Sequence, residues 1–301
     1  MNKMKIGLAL GSGSSRGWSH IGVINELTSQ GITPDIVCGA SIGSLVGASY
    51  VSNNLQKLES WVCSLSKFET AKFFEINRSL NGFVNTERLH QFLTEYVASD
   101  DSIIENIDKE YASVATDLET GREVWLSEGS VLEAVWSSIS LPGLFPAIKN
   151  NNKWLVDGGL VNPVPVSVCR ALGADIVIAV NLNGDIVGKH FQEPTRTIKQ
   201  ETGVVGKVTD LVSEYASSVF SATKPEDKPP SLFESIAGSV NITQDRITRS
   251  RMAGDPPDIM LSPKLSNIGL LEFYRAKEAI TEGEKCVLRA LPEIKHVLNL
   301  T

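Results

Sequence analysis

Apolar and polar positions alternate in short blocks over the first fifty residues. Lys5–Leu10 (KIGLAL) is an apolar run of strand length that stops at a Gly/Ser loop, Gly11 to Gly17. In the stretch WSHIGVINELTSQG that follows, Ile21, Ile24 and Leu27 recur every three residues and Gly31 supplies the stop, as in an amphipathic helix. Pro34–Cys38 (PDIVC) reads as a second strand and residues 42–51 as a helix directly after it. Strand, loop, helix, strand, turn, helix is the signature of a mostly parallel sheet covered by helices.

The same alternation continues. Tyr111–Thr116, Glu123–Leu126 and Trp154–Val156 read as strands, and 131–138 and 165–172 as helices. DIVIAVNL, Asp175–Leu182, has the β-branched, uninterrupted apolar character of a central strand. Residues 258–261 (DIML) read as one more strand and Phe273–Leu291 as a closing helix. Residues 184–234 are polar and carry the breaker KPEDKPP. The expected architecture is therefore a three-layer α/β/α domain with a mostly parallel central sheet. Its core would span 5–183, an excursion 184–234 would serve as lid or oligomer contact, and 235–301 would add a strand and helices.

Composition changes this picture little: 301 residues, 42% hydrophobic and 21% charged, suit one large core. A net charge of −7 argues against nucleic acid as a partner and against broad electrostatic adhesion to anionic membrane. It leaves local, peripheral contact with a membrane open. No apolar stretch reaches the roughly 18 residues of a membrane span, and the N-terminal run is too short for a signal peptide. Cys38, Cys63, Cys169 and Cys286 form no C-x-x-C pair, so reduced thiols in a cytoplasmic protein are expected, with no metal, calcium included, and no cofactor.

Three local patterns carry candidate chemistry. Gly39-Ala40-Ser41-Ile42-Gly43 is G-x-S-x-G between a predicted strand and a predicted helix. That context exposes a serine hydroxyl on a strained turn at a helix N-terminus; a loop that merely caps the helix is the bland alternative. Gly11-Ser12-Gly13-Ser14-Ser15-Arg16-Gly17 presents successive backbone N–H groups, as an anion requires. A dinucleotide fingerprint would need glycine where Arg16 stands, and a P-loop would need G-K-[ST]. Arg16 itself either anchors the loop or is a solvated charge. Asp157-Gly158-Gly159 follows the Trp154–Val156 strand; alone it is a common turn.

In combination these residues resemble the patatin-like phospholipases, particularly short bacterial members related to the catalytic domain of neuropathy target esterase. The resemblance runs through RGWSHIGVINEL (16–27), GASIGS (39–44), ATDLETGREVWLSEG (115–129), SISLPGLFPAI (138–148), LVDGGLVNPVPV (155–166) and GADIVIAVNL (173–182). It implies a serine hydrolase of lipid or other esters with a Ser–Asp dyad: Ser41 as nucleophile, Asp157 as base, and the N–H groups of Gly13, Ser14, Ser15 and Arg16 as oxyanion hole. Gly11, Gly17, Gly39, Gly43, Gly158 and Gly159 would support the three motifs. The family loop is usually glycine where Ser12 and Ser14 stand, and serine does not take φ > 0 without cost. That departure is the one feature favouring a binding or regulatory protein of the same fold.

Of the four histidines, His190 and His296 follow Asp157 in the order of an ordinary α/β-hydrolase triad, but neither sits in a suitable loop. His90 falls in no catalytic motif, and His20 falls where it would support the glycine loop. Phe68, Phe73, Phe74 and Phe83 are expected to be core rather than acyl pocket, and Arg246, Arg249 and Arg251 a solvated helix face.

Overall fold

In the computed structural model, residues 4–73, 86–186 and 232–300 are described. The strands are β1 (Ile6–Leu10), β2 (Ile36–Ala40), β3 (Glu110–Asp117), β4 (Glu123–Leu126), β5 (Ile148–Asn150), β6 (Lys153–Asp157), β7 (Ile176–Val180) and β8 (Ile259–Leu261). The helices are α1 (Ser19–Ser29), α2 (Ile42–Val51), α3 (Leu55–Ser64), α4 (Lys67–Phe73), α5 (Thr86–Tyr96), α6 (Val131–Ile139), α7 (Val166–Ala171), α8 (Leu232–Gly254) and α9 (Ala276–Val297). Hydrogen-bonded neighbours run β5-β6-β3-β2-β1-β7-β8, with β4 also on β3. The β3–β2–β1–β7–β8 pairs are parallel, while β4, β5 and β6 pair antiparallel. The α/β class and the mostly parallel sheet agree with the sequence reading.

Alternation along the strands builds two cores. Leu8, Leu10, Val37, Ile178 and Val180 point to one face, under α1, α2, α3, α5, α6 and α9. Ala9, Ile36, Cys38, Ala40, Val177 and Ala179 point to the other, under α7 and Met252 of α8. A sheet buried on both faces needs near-continuous apolar strands, which explains the IVCGA and IVIAV runs. On the thicker side α1 and α9 cross at backbone distance: a Cβ on Gly22 would stand 1.9 Å from Ile280 O.

The register around β3 sets up the site. A strand residue bonds different neighbours from its two edges. Val114 pairs both Ala40 and Trp125, and Ala115 pairs both Asp157 and Val124. So β4 occupies one edge of β3, while β2 and β6 share the other, end to end.

Several expectations change. The sequence reading assigns no element to β5, α3, α4 or α5, although Leu55, Leu58 and Val62 in α3 and Leu89, Phe92 and Leu93 in α5 are spaced along one helical face. The polar stretch read as an excursion to residue 234 gives way at Leu232 to α8, a helix of 23 residues; residues 187–231, including His190, lie outside the described residues. The last helix begins at Ala276, after a short 3-10 turn at Phe273–Arg275, and runs through Pro292 to Val297 rather than stopping at Leu291. Proline lacks an N–H and disfavours the helical conformation in the residue before it, yet Ile294 and Leu298 beyond it are buried and hold the last turns down. Phe68 is not core: it is 74% exposed on α4. The Phe73 side chain, Phe74 and Phe83 lie outside the description.

Candidate active site

Ser41 is the only residue between β2 and α2, and it makes the turn with φ 55° and ψ −124°. For a non-glycine residue this conformation costs on the order of 1–3 kcal/mol and persists only where neighbours enforce it. The enforcement is visible. Ser41 N–H donates to Ser138 Oγ at 2.8 Å, and Ser138 Oγ donates to Val114 O at 2.6 Å. Ser44 Oγ bonds Tyr111 Oη and Ser113 Oγ in the buried layer between α2 and β3. Gly39 and Gly43 permit the tightness: a Cβ on Gly43 would meet Leu10 O at 2.1 Å, and one on Gly39 would meet Ser44 N at 2.3 Å.

The Ser41 hydroxyl donates to Asp157 Oδ2 at 2.5 Å. The other carboxylate oxygen accepts the Gly159 N–H at 2.7 Å. Thr116 Oγ1 donates to Asp157 O, and Asp157 N–H to Ser140 O, so the residue is held at backbone and side chain alike. A Cβ on Gly158 would come within 2.0 Å of Val114 O, which is why the chain needs glycine as it leaves β6 beside β3. Burial raises the Asp157 carboxyl from its ordinary 3.8 to about 6, against the opposing pull of the Ser41 hydroxyl and the Gly159 N–H. Such a carboxylate is ionised at neutral pH yet markedly more basic than a solvated one.

The glycine loop lies across the C-terminal end of β1. Gly11 N–H donates to Val180 O and Ser12 N–H to Pro163 O. Ser14 adopts φ 52°, the conformation a glycine would take there. Ser15 N–H donates to Leu270 O and Arg16 N–H to Gly13 O, so two of the four expected oxyanion donors are already engaged. The N–H groups of Gly13 and Ser14 have no acceptor among the described residues, and both residues line the cavity that Ser41 and Asp157 line. The hole therefore narrows from four expected donors to these two.

Arg16 proves to be an anchor rather than a solvated charge. It is buried, its Nε donates to Ile268 O at 2.9 Å, and burial lowers its pKa to about 10, with the charge of Glu272 opposing. Ser15 Oγ adds a bond to Gly269 O. His20 is fully buried with Nε2 2.8 Å from Gly11 O, and burial lowers its pKa to about 4, so it is a neutral brace for the loop. Among the described residues no histidine bonds Ser41 or Asp157: His90 pairs with exposed Asp100, and His296 lies in the last turn of α9. Arg246 and Arg249 are exposed as expected, but Arg251 ties α8 to Val161 O and Glu123.

From the dyad an apolar cavity, partly open to solvent, extends between Leu45, Trp61, Leu65, Leu89, Phe92 and Phe145. Its walls come from α2, α3, α5 and the segments after α6 and before α9. Sequence reading located none of these aromatics, because each sits on a separate element with no local pattern. Among the described residues no group of three His, Cys, Asp or Glu side chains is arranged to hold a metal ion, and no helix is long and apolar enough to cross a membrane.

Fold and site together define an α/β protein that sets a serine, on a strained strand–helix turn, against a buried aspartate. The family model for patatin-like phospholipase matches residues 8–170, more than half of the chain, and the chain belongs to that family. An uncharacterised NTE family protein of Mycobacterium bovis is 28% identical over 330 residues, covering 95% of this chain and 91% of that protein. The lysophospholipase NTE1 of Pyricularia oryzae is 27% identical over 308 residues, 96% of this chain but only 18% of that protein. The crystal structure of VipD from Legionella pneumophila aligns with a TM-score of 0.48 at 12% identity, over 97% of this chain and 67% of that one.

Proposed function

We propose that this protein is a serine lipid acyl hydrolase in which Ser41 is the nucleophile, Asp157 the base, and the Gly13 and Ser14 N–H groups the oxyanion hole. The observation that carries the reading is the 2.5 Å hydrogen bond from Ser41 Oγ, on its strained turn, to a buried carboxylate. Asp157 takes the Ser41 proton as Oγ attacks an ester carbonyl. The α2 N-terminus and the two free N–H groups face the resulting negative charge, each well-placed donor contributing roughly 3–4 kcal/mol. The proton then passes to the leaving alcohol, and water releases the acyl group from Ser41. An apolar cavity beside the dyad suits an acyl chain, and family membership supports a lipid as the ester.

Four free cysteines support a reducing, cytoplasmic setting, from which lipid would be reached by peripheral contact. We read 1–301 as one patatin-like unit, of which the family model matches residues 8–170. Ser14 takes φ 52° and keeps its N–H, which supports the hydrolase reading over a binding protein of the same fold.

Hydrolysis of a p-nitrophenyl ester by wild type, Ser41→Ala and Asp157→Asn tests the reading. Turnover by wild type with both folded variants at background is the expected result. An inert wild type that also resists fluorophosphonate labelling of Ser41 removes it.

A further inference from the structure

We propose that His20, on α1, is a positioning residue for catalysis: by bonding the Gly11 carbonyl, which lies against the first turn of α2, it sets the distance from the oxyanion donors to Ser41. The proposal rests on the Ser41–Asp157 reading and assigns part of its rate to a residue outside both the dyad and the cavity.

The Gly13 and Ser14 N–H groups sit on one element and the Ser41 hydroxyl on another, so their separation depends on how the glycine loop packs against the elbow. Two contacts set it. A Cβ on Gly17 would stand 2.3 Å from Ile42 Cγ1, and one on Gly43 would stand 2.9 Å from Gly11 O. The loop therefore lies on the two residues that follow Ser41. His20 Nε2 is 2.8 Å from the same Gly11 oxygen. A carbonyl only accepts, so Nε2 carries the proton and Nδ1 is bare. The base of the imidazole is itself fixed, because α1 meets α9 at backbone distance just before and just after it. A Cβ on Gly283 would stand 2.1 Å from Ser19 O, and Gly22 lies equally close to Ile280 O. The other bonds at this end of the loop run to β7, to Pro163 and to Asn183. Among the described bonds there, His20 supplies the one from the helical layer that also carries α2.

Packing alone is a poor reason for a histidine here. The ring is fully buried, and Nδ1 has no hydrogen-bond partner among the described residues. Burying an unpaired polar atom costs free energy that a methionine or leucine filling the same space would avoid. Such local conflicts are expected where function requires them. What the imidazole supplies is a donor on a rigid ring, aimed at Gly11 O. Burial also lowers its pKa to about 4, so the ring stays neutral, with the proton on Nε2, over the range in which Asp157 is ionised. Without this bond the loop is free to shift against the elbow, and a misplacement of about 1 Å in an oxyanion donor is enough to cost about 10²-fold in rate.

The test compares wild type with His20→Met, which keeps length and lacks the donor, with His20→Leu as a second apolar variant, and with His20→Gln, whose amide keeps a donor for Gly11 O. Each is checked by circular dichroism and thermal melting. With p-nitrophenyl butyrate, kcat is expected to fall about 10–100-fold in the apolar variants with KM within about threefold, and to return to within about fivefold of wild type in His20→Gln. A trifluoromethyl ketone gives a second reading. Ser41 Oγ adds to its carbonyl carbon, Asp157 takes the proton, and the ketone oxygen becomes the oxyanion. Its inhibition constant should rise by the factor by which kcat/KM falls. A fold that is merely loosened lowers the amount of active enzyme and leaves that constant unchanged. An unchanged inhibition constant, or a loss of kcat that His20→Gln shares with the apolar variants, overturns the proposal. Failure of both apolar variants to fold makes His20 a folding residue and overturns it too. A wild type that neither hydrolyses the ester nor binds the ketone would instead remove the dyad reading, and this inference with it.

Discussion

Ala40 and Asp157 lie end to end along one edge of β3, opposite its consecutive residues Val114 and Ala115. β2 runs parallel to β3 and stops at Ala40; β6 arrives antiparallel and stops at Asp157. The residue after Ala40 therefore emerges facing Asp157, and the Ser41–Asp157 pair is built by strand register rather than by a flexible loop. Preorganisation of this kind places a nucleophile and base without ordering cost at the moment of reaction.

Burial of Asp157 predicts opposite pH trends for activity and stability. With its pKa raised to about 6, kcat/KM should rise about tenfold per unit below that pH and level off above it. The unfolded chain releases the same proton near 3.8. Between about pH 4 and 6 the folded protein thus holds a proton the unfolded one has lost, and stability falls as pH rises through this window. Above it the penalty is complete, at most about 3 kcal/mol. Asp157→Asn should therefore melt higher than wild type at pH 7 and lose that advantage by pH 4, as calorimetry at the two pH values would read. Equal melting at pH 7 would contradict the burial argument.

Ser138 should matter more than an ordinary α6 serine. It alone links Ser41 N–H to Val114 O through one fully buried hydroxyl. Ser138→Ala leaves a donor and an acceptor unpaired, at about 1–3 kcal/mol, and frees the strained turn. The expected result is a loss of that size in urea denaturation with kcat reduced about tenfold and KM nearly unchanged. A stability loss with unchanged kcat would show that the turn holds itself.

The parts legible in the sequence were those with local cause. The elbow at 39–43, the loop at 11–17 and the strand before Asp157 each show as a few consecutive residues whose backbone demands particular chemistry. The near-continuous apolar runs of β1, β2 and β7 forecast a sheet covered on both faces. What stayed hidden depends on distant partners. Nothing near Asp157 says that β6 continues the edge begun by β2. Arg16 could be read as anchor or solvated charge until Ile268, 252 residues away, supplied its acceptor. Phe68, apolar by type, turns outward on α4.

The apolar cavity predicts chain-length selectivity. Leu65 is half-buried on its wall, so a larger side chain there narrows the space without entering the core. Leu65→Trp should leave p-nitrophenyl butyrate hydrolysis within about threefold and reduce decanoate hydrolysis tenfold or more, since losing burial of several methylenes costs about 0.8 kcal/mol each. A parallel fall for both esters would move the acyl site elsewhere.

Ser14 tests how the glycine loop tolerates serine. At φ 52° a Cβ costs about 1 kcal/mol, while glycine costs a similar amount through the greater freedom of the unfolded chain. Ser14→Gly should therefore change stability by less than about 1 kcal/mol and keep activity, because the N–H group is retained. Ser14→Val asks a β-branched residue to take the same φ, where it is a steric outlier. It should either force the loop out of shape or destabilise the fold by about 1–3 kcal/mol, and kcat should fall with it because the Gly13 and Ser14 donors move together. Measuring kcat and urea midpoints for both variants separates the two effects. Full activity in Ser14→Val would mean that the loop does not carry the oxyanion donors.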